Sequence, residues 1–330
     1  MGRFFKVFFI TFFISILLVM VGFYSYLKIF NPLDNLIDYT DNSDNEDGDD
    51  LEDDPNATPF EIAKKKNKGI KINVLIVGLE HVRTDSIMVA SFDRNTKEVN
   101  IYSIPRDTIY DRGYKNITRN RINAIYQDDG IIGLKNAVED LLDIPINRWV
   151  TLDYDAVVKT VDIIGGVEMD IPFHMKYTDM YDNPPLKVDI PAGKRLLDGK
   201  TALQFLRFRK GDPGYEGYVD GDIGRTKAQQ RFVKEVIRKV LSFKLPTVIN
   251  QVYPYVKTDF STTELIALAS ESIGFTMDKL STATLPGAED PRIKRDYNAS
   301  MYALNKEEVV RMMYKLYGII DDNTEASTNE

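Results

Sequence analysis

Three short apolar runs follow one another in this chain: KINVLIVG at 71–78, SIMVASFD at 86–93 and EVNIYSIP at 98–105. The first is nearly continuous, the pattern of a strand buried on both faces, and the third alternates as a half-buried strand does. Polar RNTK separates the second from the third and reads as a turn. Strands of this kind need cover, and the sequence supplies helices for it. GIIGLKNAVEDLLDI at 130–144 places Leu134, Ala137, Val138, Leu141 and Leu142 on one helical face. RWVTLD at 148–153 is a further strand, and Asp153 caps the helix YDAVVKTVDII, which stops at Gly165-Gly166. VEMDIP at 167–172 is again a strand. Residues 173–197 read as loops and short strands, and Asp198 caps a helix through Phe205. Helices are expected at Thr226–Lys244, 261–273 and 305–317, with a strand in KLSTATLPG between the last two. No internal repeat is visible. The pattern predicts one α/β domain with a sheet sandwiched between helices.

Ahead of that domain, Val7 to Leu27 carries no charge and is long enough to cross a bilayer. Arg3 and Lys6 precede it and acids dominate after Lys28, so the N-terminus (1–6) is expected in the cytoplasm and the rest outside. A cleaved signal peptide is the competing reading, against which stand the length of the run and bulky Phe23, Tyr24 and Tyr26. Residues 28–69 are poor in apolar side chains and rich in acids, the composition of a disordered spacer. DNSDNEDGDD lacks the Glu and flanking helices of a calcium loop. The tail, 321–330, is expected to fray.

The formal charge of −8 misleads about the domain. Twelve acids and no base lie between Asp34 and Glu61, and four acids lie in the tail. With these and Arg3, Lys6 and Lys28 set aside, 39 bases face 34 acids over 64–320, a net charge near +5. Anionic ligands fit such a body. Nucleic acid does not, because no DNA-reading motif or dense basic helix is present. The absence of Cys removes thiolate chemistry, and two His, His81 and His174, exclude a multi-His zinc site. Chemistry is left to carboxylates, Arg, Lys and a hard metal.

Two constellations offer that chemistry. In the helix expected from Thr226, the apolar stripe Phe232, Val233, Val236, Ile237, Val240 and Leu241 reads as core. Stepping back along the same face reaches Gln229 and Arg225, near a helix N-terminus where free N–H groups favour an anion. The plainer reading pairs Arg225 with Asp222 or Asp220. If LRFRK is extended, Arg207 and Arg209 share one face, while Leu206 and Phe208 take the other. Clustered guanidiniums fit pyrophosphate through charge-assisted hydrogen bonds worth roughly 1.5–3 kcal/mol each; a solvated basic edge is the alternative. The second constellation lies after strands: Glu80, Arg83 and Asp85, then Arg106 and Asp107. Loops at one end of an α/β sheet can meet around a ligand. Carboxylates beside a pyrophosphate call for a hard cation between them, and Mg²⁺ takes one or two carboxylates plus phosphate oxygens.

In this order the motifs resemble the LytR-CpsA-Psr family over about Ile70 to Ile320. The matching runs include NVLIVGLEHVRTDSIMVASFD, VNIYSIPRDT, RINAIY, LDGKTALQFLRFRK and GDIGRTKAQQRFVKEVI. The resemblance implies an α-β-α sandwich around a mixed central sheet (70–320), behind a single N-terminal anchor (7–27). It implies a Mg²⁺-assisted phosphotransferase at the outer face of the cell membrane. Its partners would be a polyprenyl-pyrophosphate-linked glycopolymer (a teichoic acid, capsule or similar) and a peptidoglycan acceptor. Carried over residue by residue, Arg83, Arg106, Arg207, Arg209 and Arg225 cradle the pyrophosphate, with Gln229 in support. Arg121 stands where the family usually has Lys and adds a phosphate contact. Asp85 holds the metal together with Glu80, and Asp85, Arg83, Arg106 and Arg225 form the catalytic set. Glu80 departs from the pattern, since many members carry Asp there before a longer loop. A polyprenyl-pyrophosphate binding protein without turnover is a rival reading. A transcriptional attenuator is another, opposed by the expected topology.

Overall fold

The computed structural model describes residues 33, 57–80, 82–181, 185–241 and 245–319. The apolar run 7–27, most of the acidic spacer, His81 and the tail 321–330 lie outside the described residues. Among the described residues no helix is long and apolar enough to cross a membrane.

The three opening runs form β1 (Lys71–Glu80), β2 (Arg83–Asp93) and β3 (Val99–Ile104), joined antiparallel. β4 (Arg148–Leu152) lies parallel beside β1, and β10 (Leu280–Thr284) lies parallel beside β3. With β9 (Lys257–Thr258) they make one mixed sheet in the order β10-β3-β2-β1-β4-β9. Strand alternation sorts the two faces. Leu75, Val77, Ile87, Val89, Tyr102 and Ile104 pack against α2 (Ile122–Leu142) and α9 (Lys306–Leu316). On the other face, Ile76, Met88, Ala90 and Ile101 meet Val233 and Ile237 of α5 (Asp222–Leu241). α2 begins at Ile122 rather than at residue 130, because two helical pieces meet at Gly130, whose φ of 68° breaks the turn.

The spacer ends earlier than its composition implied. Pro59–Lys66 forms α1, started by a reciprocal cap between Thr58 and Glu61 and held by buried Phe60 against Tyr314 and Tyr317. One aromatic anchor and one capping box order a segment that charge counting assigned to disorder.

A second core sits beside the sheet. α3 (Tyr154–Ile163) and α4 (Gly199–Arg207) start at the expected caps, Asp153 and Asp198. Two ribbons, β5 (Val167–Ile171) with β8 (Gly193–Leu197) and β6 (Met175–Asp179) with β7 (Leu186–Ile190), fill 167–197. Their inward residues bury with Phe205 of α4, Phe208 just after it and Phe232 of α5. The remaining elements are α6 (Leu245–Val252), α7 (Thr262–Glu271), the small ribbon β11 (Gly287–Glu289) with β12 (Tyr302–Leu304), and α8 (Pro291–Tyr297).

Candidate functional site

Register brings the carboxylates of β1 and β2 to one end of the sheet. Gly78 pairs with Ser86, but Leu79 pairs with Thr84, so Asp85 is the extra residue of a bulge. A bulge re-aims a side chain, and here it frees Asp85 from the ladder. β2 and β3 pair as Ile87 with Ile104, a register that carried on sets Asp85 opposite Arg106. The ion pair between them spans 2.7 Å, with Arg106 Nη1 donating to Asp85 Oδ1. On the other side, β1 and β4 pair as Gly78 with Leu152, which carried on sets Glu80 beside Tyr154.

The opening turns of α5 and the end of α4 close this end of the sheet. Glu80, Asp85, Arg106, Arg207, Arg209, Lys210 and Arg225, with Tyr177, Asp179 and Leu186 of the β6–β7 ribbon, line a polar cavity of about 200 Å³. Arg106 also lies 3.7 Å from Asp222 and 3.9 Å from Asp107. Burial opposes its charge, yet Asp222, Asp85 and Asp107 outweigh burial, and its pKa rises. Arg225 is only 6% exposed and pairs with Asp222 at 2.8 Å. Nε of Arg106 and Nε of Arg225 are buried without hydrogen-bond partners among the described residues. Buried donors of this kind favour an incoming oxyanion.

Arg207 donates to Glu80 Oε1 at 3.0 Å and stands 4.5 Å over the Tyr154 ring. It comes from a helix, not from an extended LRFRK: α4 runs to Arg207, and only Phe208 turns extended and buries. A helix C-terminus therefore brings Arg207 and Arg209 to the cavity, where period-two alternation was expected to. GDPGYEGYVDGD, between Lys210 and Ile223, is pinned to β6 by hydrogen bonds from Asp212 N to Lys176 O (2.9 Å) and Thr178 N to Asp212 Oδ1 (3.1 Å). A Cβ on Gly211 would meet Glu216 O at 2.3 Å, so glycine is required for the loop to close.

Three expected residues stand elsewhere. Arg83 is exposed at the tight β1–β2 turn and does not line the cavity. Arg121 does not line the cavity either, standing 3.4 Å from Asp107 and donating to the Ser300 carbonyl at 2.8 Å. Burial raises the pKa of that Asp107 against the opposing pull of Arg121 and Arg106. Gln229 donates to the Leu206 carbonyl at 3.2 Å and lines a different, apolar cavity. His174 pairs with Asp189 at 2.7 Å on the β6–β7 ribbon, outside the polar cavity.

The apolar cavity, about 260 Å³, is walled by Ile76, Gly78, Leu79, Leu203, Phe232 and Val233 among others, and it shares Asp85 and Arg207 with the polar one. A second apolar cavity of about 490 Å³ continues it, sharing Ile76, Leu152 and Val236. Phe232, Val233, Val236, Ile237 and Val240 of the α5 stripe pack on the cores, as their pattern reads, and also line these cavities. Among the described residues no group of three or more metal-ligating side chains gathers. Glu80 and Asp85 nevertheless offer two hard-oxygen donors to one cavity, a set that suits Mg²⁺ when phosphate oxygens complete the shell.

Known proteins are similar to this chain in sequence and in fold. "Polyisoprenyl-teichoic acid--peptidoglycan teichoic acid transferase TagV" of Bacillus subtilis (strain 168) is 29% identical over 241 residues, 69% of this chain and 59% of that protein. TagU of the same organism, which carries the same transferase name, is 28% identical over 211 residues, 61% of this chain and 64% of that protein. The chain thus spans somewhat under two thirds of the length of both. The crystal structure of B. subtilis TagV superposes with a TM-score of 0.62 at 25% identity, covering 76% of this chain and 98% of that one. TagT bound to LIIa-WTA shares the fold, with a TM-score of 0.58 at 22% identity over 74% of this chain and 89% of that one. The LytR_cpsA_psr family model matches residues 36–317, most of the chain, and the chain belongs to that family.

Proposed function

We propose that this protein is a phosphotransferase that moves a glycopolymer from polyprenyl pyrophosphate to peptidoglycan, forming a phosphodiester. One observation carries the reading: a cationic cavity and an apolar cavity share Asp85 and Arg207 as a common seam. An amphiphile with a multivalent anionic head and a long hydrocarbon tail fits both at once. The relatives TagV and TagU, named as polyisoprenyl-teichoic acid–peptidoglycan teichoic acid transferases, support the same substrate class.

In this reading an acceptor sugar hydroxyl attacks the phosphorus that carries the glycopolymer, the P–O bond to polyprenyl phosphate breaks, and the leaving phosphate carries off the hydroxyl proton. Arg106, Arg207, Arg209 and Arg225 hold the non-bridging and leaving oxygens, so positioning and electrostatics supply most of the rate. Asp222 and Asp85 fix Arg106 and Arg225 before substrate arrives, which spares reorganisation at the moment of reaction. Asp85 and Glu80 would hold Mg²⁺, which neutralises charge developing on the phosphate oxygens. The tail lies along α5, in the two apolar cavities.

In this reading an anchor at 7–27 would hold the domain outside the cell, next to the lipid it uses. A reporter active only in the cytoplasm, fused after residue 330, should be silent; a signal from it would overturn the topology. Purified full-length protein should transfer labelled polymer to a peptidoglycan fragment. Binding of the lipid-linked donor without transfer would show a carrier or sensor instead.

A further inference from the structure

Tyr154 opens α3 and is a residue to which no role attaches in the reading above. Its hydroxyl donates to Glu80 Oε1 at 2.7 Å, the same oxygen that accepts from Arg207 at 3.0 Å. Its ring lies beneath the Arg207 guanidinium at 4.5 Å and also walls the apolar cavity. Tyr154, Glu80 and Arg207 therefore form a closed triangle at the seam between the two cavities, assembled from β1, the start of α3 and the end of α4. Its corners are 74 and 127 residues apart from Glu80 in sequence, so only the fold brings them together.

The triangle answers a physical difficulty. Glu80 is a carboxylate lining a cavity suited to an anion, where its charge repels the ligand and competes with it for Arg207. Two donors on one oxygen draw that charge to the cavity wall. Oε1 is thereby committed to Tyr154 and Arg207.

We infer that Tyr154 is a positioning residue: it holds Glu80 to one oxygen and keeps Arg207 at the boundary between headgroup and lipid tail. This rests on the lipid-pyrophosphate reading of the site and adds a residue to it. Without the hydroxyl, Glu80 swings free to pair more fully with Arg207, and the ligand loses part of that guanidinium. The loss falls on binding of the donor, hence on KM more than on kcat.

The test compares wild type, Tyr154→Phe and Tyr154→Leu as full-length protein in detergent. Binding of geranylgeranyl pyrophosphate and of inorganic pyrophosphate is measured by calorimetry, alongside KM and kcat for transfer. Tyr154→Phe keeps the ring under Arg207 and should weaken binding of the lipid pyrophosphate about tenfold, as loss of a hydrogen bond to a charged group does. Tyr154→Leu should weaken it further. In a Glu80→Gln background, where the competing charge is gone, Tyr154→Phe should cost less than about twofold, the non-additivity of residues acting through one another. Thermal midpoints of the variants separate this from unfolding. Wild-type affinity in Tyr154→Phe overturns the inference, and so does an equal loss in both backgrounds. If wild-type protein binds the lipid but transfers nothing, the transferase reading fails while the binding comparison still decides the role of Tyr154.

Discussion

Arg225 and Arg209 line the same cavity under opposite conditions. Arg225 is buried and paired with Asp222, whereas Arg209 is exposed. Arg225→Ala should cut transfer by at least about 100-fold, the scale for removing a donor to developing charge. It should also destabilise the fold by about 1–3 kcal/mol, because Asp222 loses its 2.8 Å partner. Adding Asp222→Ala should return part of the stability and none of the activity. Thermal unfolding beside the transfer assay checks this, and an Arg225→Ala protein with full activity removes the residue from the mechanism. Arg209→Ala should lower transfer about tenfold or more and leave the unfolding midpoint unchanged. Sequence reasoning reached these two residues through motif and helix face. It weighed the Asp222 partner as a rival to anion binding, but the geometry makes pairing and cavity lining compatible. It had no signal for Tyr154, because a parallel register between β1 and β4 cannot be read from either strand alone.

At the scale of elements, β4 is tied to α7 by Arg148 and Glu264, 2.7 Å apart and both largely buried. Burial raises the Glu264 pKa, but hydrogen bonds from the Ser261 backbone, Arg148 and the Ser261 side chain outweigh it, and the result lies below the ordinary 4.5. A depressed carboxylate pKa gives stability that is present above the unfolded value and is lost as pH falls through the folded one. Unfolding midpoints should therefore drop below about pH 4.5, and less steeply in Glu264→Gln than in wild type. Glu264→Ala should cost about 3 kcal/mol at pH 7, because it uncovers a guanidinium only 6% exposed. Equal stability of that variant would show the pair to be neutral. Local chemistry announced most elements here: Asp153, Asp198 and the Gly165-Gly166 stop stand where they were read. LRFRK was misread because Leu206 and Phe208, two apart, also suit the last turn of a helix followed by a break.

Across the whole molecule, the sheet and α5 meet through Val233 and Ile237 and border open apolar space beside that contact. Val233 walls the first apolar cavity, and Val233→Trp should intrude there. At about 0.8 kcal/mol per CH₂, each isoprene unit excluded forfeits roughly 3–4 kcal/mol. Geranylgeranyl pyrophosphate binding should fall at least about 100-fold while inorganic pyrophosphate binding holds. Parallel loss of both would place the lipid tail elsewhere. What the sequence determined by itself was the order of the main strands and helices, the caps Asp153 and Asp198, the charge of the domain once its acidic flanks were set aside, and the arginines of LRFRK and GDIGRTKAQQ. These follow from periodicity and local hydrogen bonding, which act over a few residues. Tertiary structure alone decided that a bulge frees Asp85, that Glu80, Tyr154 and Arg207 meet, that Arg83 and Arg121 lie off the cavity, and that Val233 and Val236 of α5 line a cavity as well as packing on the core. An apolar side chain has the same pattern whether it packs against protein or faces a cavity, and only the positions of its distant neighbours tell the two apart.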